Sequence, residues 1–240
     1  MKDVAVVIVT YNSADVLEGC LRSLAEGARG VRLTDVVVAD NNSADETVRI
    51  AKESDATVVQ LGRNAGYAAG FNRGVEALAG RAPDAVLLIN PDCRLTRGSI
   101  AVLAEALSVP RRGIVAPRLI NPDGSLQPTL RRMPTVRGTW VEALVGGERA
   151  DRMGVGELIF GEAEHARPGR AAWATGAALL ISWAALAEAG PWDESFLLYS
   201  EETEFIFRAA DLGWTLWYEP AAVAALLRPA RRIHSLDQLT

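Results

Sequence analysis

Cysteine, histidine and lysine are all scarce in this 240-residue chain. Two cysteines, Cys20 and Cys93, are too few for a disulfide framework and point to a reducing compartment, the cytoplasm. The two histidines, His165 and His234, lie far apart and show no zinc-ligand spacing. Basic residues are in deficit: 25 Lys and Arg face 30 Asp and Glu, a net charge of −5, which argues against nucleic acid as a partner. Long hydrophobic runs are missing too. Residues 4–9 form an apolar run of six that ends in Thr10-Tyr11-Asn12, with no small-residue cleavage site, and so do not read as a signal peptide. The uncharged stretch 171–187 is rich in alanine, broken by Thr175-Gly176 and Ser182, and short for a bilayer; it reads as a buried strand running into a helix. No internal repeat or low-complexity tract occurs. What remains is 49% hydrophobic and 23% charged, enough for a sizeable core in one α/β domain over residues 1–240.

The first half alternates strand and helix. Residues 4–9 are a β-branched run typical of a strand buried on both faces. Val16, Leu17, Cys20, Leu21 and Leu24 then fall at helical spacing. Residues 35–39 form the next strand, and Ser43 with Glu46 three residues on reads as a capping box that opens a helix. Strands over 57–61 and 85–89 follow, with helices over 67–78 and 99–107. This pattern predicts a mostly parallel central sheet of βαβ units flanked by helices, with residues 1–110 as its regular half. Ligands on such sheets bind beyond the carboxyl ends of the strands. Polar residues stand at four of those ends: Thr10-Tyr11-Asn12, Asp40-Asn41, Asn64, and Asn90-Pro91-Asp92.

The second half is less regular. Residues 119–127 read as a hairpin around Asn121-Pro122-Asp123-Gly124-Ser125. Residues 130–170, rich in Arg and Gly, are expected to be a mobile loop region with at most short helices. Within it, Arg131, Arg132 and Arg137 read as a solvated basic loop, with contact to a phosphorylated or lipid-linked acceptor as the functional alternative. Ser200 reads as the N-cap of a helix reaching about Asp211, followed by a strand over 215–218.

The ordered set Val7-Ile8-Val9-Thr10-Tyr11-Asn12, Asp40-Asn41-Asn42-Ser43, Arg63-Asn64-Ala65-Gly66 with Gly70 and Asn72, and Asn90-Pro91-Asp92 resembles glycosyltransferase family 2. Trp173-Ala174-Thr175-Gly176-Ala177, residues 190–194 and Tyr199-Ser200-Glu201-Glu202 continue the resemblance in order, closest to its rhamnosyltransferase-like branch. The resemblance implies a GT-A fold. It also implies inverting transfer of a sugar from a nucleoside diphosphate donor to a hydroxyl of a glycan, lipid-linked or natural-product acceptor. Thr10, Tyr11 and Asn12 would line the nucleotide pocket, and Asp40 would accept the imide N–H of uracil or thymine, which makes UDP or dTDP the donor nucleotide. Asn64, Gly66, Asn72 and Asn90 would complete the donor site, with Thr175 and Gly176 beneath the sugar. Asp92 takes the family's metal-binding position, for Mg²⁺ or Mn²⁺, to offset the charge of the departing diphosphate. Glu202 takes the position of the general base, with Glu201 orienting it or touching the acceptor. Trp173 and Trp192 would meet the acceptor sugar. A lipid-linked acceptor implies peripheral contact with the inner face of the membrane.

Two alternatives stay open. A sugar nucleotidyltransferase shares a similar sheet, but usually needs an active-site lysine and a Gly-rich N-terminal loop; here lysine occurs only as Lys2 and Lys52. A catalytically inactive nucleotide-binding or scaffold protein of the same fold is suggested by residues 221–240. They read as a diverged or truncated tail in which only the late His234 could stand for the family's histidine.

Overall fold

The computed structural model describes residues 1–227 apart from 79, 134 and 199. The first half runs β1 (Asp3–Thr10), α1 (Ala14–Gly27), β2 (Arg32–Asp40), α2 (Thr47–Lys52), β3 (Thr57–Gln60), α3 (Tyr67–Glu76), β4 (Ala85–Ile89), β5 (Cys93–Leu95) and α4 (Ser99–Leu107). The second runs β6 (Arg112–Ile120), β7 (Leu130–Arg131), α5 (Val136–Val145), α6 (Gly147–Arg152), α7 (Glu162–His165), β8 (Gly169–Arg170), β9 (Trp173–Ala174), β10 (Ala178–Ser182), α8 (Trp183–Ala189), α9 (Glu201–Asp211) and β11 (Thr215–Leu226).

The main sheet has the order β3-β2-β1-β4-β10-β6-β11-β5, with β8 added on β11. Its first four strands are all parallel. The insertion of β10, antiparallel to both β4 and β6, makes the sheet mixed beyond them. Along β1 the side chains divide by period two. Val4, Val6 and Ile8 enter a core layer with Leu17, Cys20 and Leu24 of α1 and Ile100 and Leu103 of α4. Ala5, Val7 and Val9 enter the opposite layer with Phe71 of α3, Leu186 of α8 and Phe205 and Ile206 of α9. A strand sandwiched this way has no polar face, which is why its sequence is an unbroken apolar run.

Gly70 and Gly74 face β1 from α3. A Cβ on either would run into the side chains of Val9 and Val7 respectively, so both glycines let the helix lie close on the sheet.

Several expectations change. The Ser43–Glu46 box caps nothing: α2 starts at Thr47 without a side-chain cap, and Ser43 bonds Asp40 instead. Strand β6 passes through Pro117 at the centre of the sheet. The register with β11 shifts between Glu219 and Val223, where Pro117 has no N–H to offer the ladder. The 130–170 region carries a ten-residue helix, α5, capped by the Thr135 side chain, which accepts the Gly138 N–H. Helix α9 begins at Glu201 as expected, but Ser200 holds a left-handed φ of 73° and makes no side-chain cap. The stretch 171–187 divides into β9, β10 and most of α8. Among the described residues no helix is long and apolar enough to cross a membrane. Residues 221–226, expected in a diverged tail, complete β11 and pair with β6 and β5. His234 lies outside the described residues.

Candidate active site

The parallel register delivers the strand-end residues to one rim. Thr10 pairs with Asp40 across β1 and β2, and Ile8 pairs with Ile89, so Asn90 emerges beside them. Asp40 is fully buried. Its Oδ1 accepts the hydroxyls of Thr10 (2.9 Å) and Ser43 (2.5 Å), and its Oδ2 accepts the Ser43 N–H (2.9 Å). Three of the carboxylate's roughly four acceptor positions are therefore filled. Asp40 is not the open acceptor that the sequence suggests, because it first knits two loops together. The Ser43 hydroxyl also accepts the Asn12 N–H, and Asn12 Oδ1 accepts the Ala44 N–H. Tyr11 stands over this corner with a 52% exposed side chain.

Asn41, which the sequence reading noted at its strand end without a role of its own, ties the next loop down. Its amide donates to the Gly66 carbonyl (3.1 Å) and accepts the Ala65 N–H (3.1 Å). Asn64 is exposed and accepts the Gly66 N–H. Gly66 itself is required: its φ is +93°, and a Cβ would stand 2.6 Å from the Leu197 carbonyl oxygen.

Asn72 and Trp192 leave the site. The Asn72 amide accepts the Trp192 N–H and donates to its carbonyl, both at 2.9 Å, and donates to Glu194 at 3.0 Å. This pins the turn after α8 to α3. Trp192 is 2% exposed and packs between Phe71 and Phe205, so its ring has no face left for a sugar. A cleft of about 360 Å³ opens beside this turn between α3 and α8, lined by Val75, Trp183 and Pro191 among others. It holds none of the rim's acids.

The chemistry gathers around Tyr67, the first residue of α3. Its hydroxyl lies 2.6 Å from Asn90 Oδ1 and 3.2 Å from the Gly176 carbonyl. Gly176 in turn donates its N–H to Glu202 Oε1 at 3.3 Å. Asn90, Gly176 and Glu202 are thus joined through one phenol, which no local motif announces. Thr175 directly precedes Gly176 in the chain.

Four buried polar atoms in this neighbourhood have no partner: Asp92 Oδ1, Glu201 Oε2, Arg131 Nε and Trp173 Nε1. Trp192 Nε1, beside Tyr67, is a fifth; orphaned buried groups are costly, and contact with a ligand is one reason a fold keeps them. Burial raises the carboxyls of Asp92 and Glu202 above their ordinary range, and pushes Glu201 up to about 7. Glu202 is drawn partly back by the hydrogen bond from Gly176 and by the Arg131 guanidinium. The charges of Glu202, Glu201 and Asp92, in that order, all act on the Tyr67 phenol, which burial holds well above its usual range. Arg131 pairs with Trp173 across β7 and β9, its guanidinium 5.2 Å from the indole centre. It is desolvated rather than solvated, whereas Arg132 pairs with Asp151 at 2.8 Å.

Two sulfurs underlie the rim. The Cys93 thiol donates to the Ala177 carbonyl at 3.3 Å and the Cys20 thiol to the Asn90 carbonyl at 3.5 Å.

A hard divalent cation fits Asp92. The buried Oδ1 is an oxygen ligand without a hydrogen-bond partner, and Mg²⁺ commonly takes one or two carboxylates and completes its shell with phosphate and water. Among the described residues no cluster of three or more His, Cys, Asp or Glu offers a protein-only cage, so the cation would be shared with a substrate.

A mixed sheet with parallel strands delivering polar side chains to one rim, and an acid-bearing helix facing them from the second half, defines the GT-A architecture. Solved structures agree. GalNAc-T7 with UDP, GalNAc and Mn²⁺ superposes with a TM-score of 0.68 at 15% identity, over 95% of this chain and 44% of that one. The glycosyl transferase family 2 model matches residues 5–168. The N-acetylglucosaminyl-diphospho-decaprenol L-rhamnosyltransferase of Mycobacterium tuberculosis is 32% identical, covering 90% of this chain and 73% of its own length. The low-salt glycan biosynthesis hexosyltransferase Agl10 of Haloferax volcanii is 28% identical over 87% of this chain and 62% of its own. The chain belongs to glycosyl transferase family 2.

Proposed function

We propose that this protein transfers a sugar, with inversion, from a dTDP- or UDP-linked donor to a hydroxyl of a lipid-linked or glycan acceptor. The observation that carries this reading is the junction of Asp92, Asn90, Tyr67, Gly176 and Glu202 at the carboxyl edge of the sheet. The nucleotide lies over the ends of β1 and β2. Tyr11 offers a ring face to the base, while Asp40, fully buried, braces that corner through Thr10 and Ser43 rather than meeting the base itself. Gly66 allows close approach at the start of α3. Asp92, with a divalent cation when one is bound, meets the diphosphate; the cation supplies stabilisation of the charge that develops on the leaving group.

Glu202 acts as base. Gly176 holds Oε1, which leaves Oε2 to take the acceptor hydroxyl proton. The acceptor oxygen then bonds to the anomeric carbon from the side opposite the diphosphate, whose bond to that carbon breaks with the electron pair leaving on the phosphate oxygen. A carboxylate raised by burial is a stronger base at neutral pH than an exposed one. Glu201, Trp173 and Arg131 flank the acceptor side, and Thr175 shapes the floor beneath the donor sugar. The rhamnosyl and hexosyl transfers in the names of the relatives support a hexose or deoxyhexose donor. The mycobacterial relative's name supports a diphospholipid-linked acceptor.

The experiment is a paired assay of donor binding and transfer. Asp92→Ala is expected to weaken metal-dependent donor binding at least tenfold. Glu202→Gln is expected to leave donor affinity unchanged and lower kcat by about 10²–10⁴. Full transfer by Glu202→Gln overturns the base assignment. An inactive chain of the same fold would bind the donor without turnover in the wild type, and a nucleotidyltransferase would exchange pyrophosphate.

A further inference from the structure

Helix α5 is turned inside out for a helix on the surface of a water-soluble domain. Val136, Trp140 and Leu144 recur at every fourth position and are 79%, 67% and 79% exposed. At about 100° per residue this row centres on one side of the helix. Gly138 and Glu142 centre on the other, about 180° away. That is the side attached to the protein: a Cβ on Gly138 would stand 2.5 Å from the Val155 carbonyl oxygen, and Glu142 accepts the Glu157 N–H. The apolar row therefore points straight out, where surface helices ordinarily point it in. Met133 before the helix and Met153 after α6 are also more than half exposed, at 57% and 62%.

The charge around the row has one dominant sign. Residues 131–153 hold five arginines and three acids in a chain whose net charge is −5. The pairs Asp151–Arg132 and Glu148–Arg152 cancel within that count, leaving Arg131, Arg137 and Arg149 against Glu142, with Arg131 desolvated beside Trp173. Arg137 and Arg149 are exposed and make no ion pair among the described residues. An apolar stripe centred on tryptophan, with the free Arg137 beside it on the helix and the free Arg149 on the short helix that follows, matches the pattern of a helix lying in a lipid interface. A second copy of the chain suits it poorly, because a two-fold pairing of the stripes would bring like-charged rims together.

We propose that α5 and its flanks dock this protein on an anionic bilayer, with Trp140, Val136 and Leu144 entering the interface and Arg137 and Arg149 meeting lipid phosphates. The strand β7 just before it carries Arg131 to the Glu202 side of the active site, so the docked face adjoins the acceptor side. The inference rests on exposure and charge and does not require the transferase assignment.

The test is sedimentation of the full chain with phosphatidylglycerol vesicles and with phosphatidylcholine vesicles. Wild type is expected to bind the anionic vesicles at least tenfold more tightly, with the preference reduced by 0.5 M salt. The variant V136S/W140S/L144S is expected to lose at least tenfold of that binding while keeping its circular dichroism and its metal-dependent hydrolysis of donor in the absence of lipid. R137Q/R149Q, a second variant that leaves the stripe intact, is expected to bind both lipids alike. Failure of wild type to bind anionic vesicles overturns the proposal, as does undiminished binding by the triple serine variant. A wild-type dimer in light scattering that the serine variant abolishes overturns it in favour of self-association. Loss of hydrolysis with binding intact would count against the transferase reading alone.

Discussion

At the scale of single residues, the acids of the rim are held at an energetic cost. Glu201 is buried, lacks a partner on Oε2, and is raised to about 7 from an ordinary 4.5. A carboxyl raised in the fold binds its proton there more tightly than in the unfolded chain. Its contribution to stability is thus fully present below about pH 4.5 and is lost as pH rises through 7. Glu201→Gln removes that titration. Its melting temperature is expected to match wild type near pH 4 and to exceed it increasingly up to pH 8, where the gap approaches about 3 kcal/mol in stability. Parallel melting curves from pH 5 to pH 8 would show the burial to be harmless.

How much of this was legible depended on whether a residue's role lies in its own neighbourhood along the chain. Asp92 and Glu202 stood out because each lies in a short motif at a strand or helix end, and the structure brings both charges to bear on Tyr67. Asn41 and Tyr67 could not be weighted. Their partners, Gly66 for one and Asn90 with Gly176 for the other, are fixed only by folding. Asn72 and Trp192 were over-read for the same reason. A polar amide near a glycine turn and a tryptophan near acids look like sugar ligands until their mutual hydrogen bonds are seen.

At the scale of elements, the alternation of the first half was readable because strands buried on both faces and helices buried on one leave clean periodicities, although β2 begins at Arg32 rather than at 35, α2 at Thr47 rather than near Ser43, and β5 was not foreseen. Strand β4 and helix α4 begin and end where their apolar patterns do. Strand β6 was invisible since Gly113 and Pro117 interrupt it, and the compensation for Pro117 lies in a register shift of a strand a hundred residues away. The capping box failed because Asp40, two strands into the core, competes for Ser43 and wins. The glycines of α3 show the opposite situation, where local preference yields to packing. Gly74→Ala should gain up to about 1 kcal/mol in helix propensity. It should also lose about 1–3 kcal/mol by forcing a methyl onto the Val7 side chain. A net loss of stability is expected, read as a lower urea midpoint with an unchanged slope; a rise in midpoint would show that α3 lifts away freely.

At the scale of the molecule, the sheet separates two jobs. Its parallel half ends in the loops that we propose receive the nucleotide. The half built around β10 presents α9 and, beyond β7, the outward-facing apolar helix. Tyr67 is one point where the halves are bonded across the rim. Tyr67→Phe keeps the ring and removes the hydroxyl shared by Asn90 and Gly176. It is expected to leave donor affinity within about threefold while lowering kcat about tenfold or more, since Gly176 orients Glu202. Equal loss in both parameters would place Tyr67 in donor binding instead.

The paired thiols beneath the rim give the molecule a practical property. Cys20 and Cys93 are its only cysteines, both fully buried, and burial pushes Cys20 up to about 12 and Cys93 well above its usual range. Neither forms appreciable thiolate at neutral pH, and maleimides and methanethiosulfonates react through the thiolate. A spin label or fluorophore could therefore be attached to one engineered surface cysteine without first stripping the native sulfurs, and at Leu144 its spectrum would report how deeply that position sinks among lipid chains.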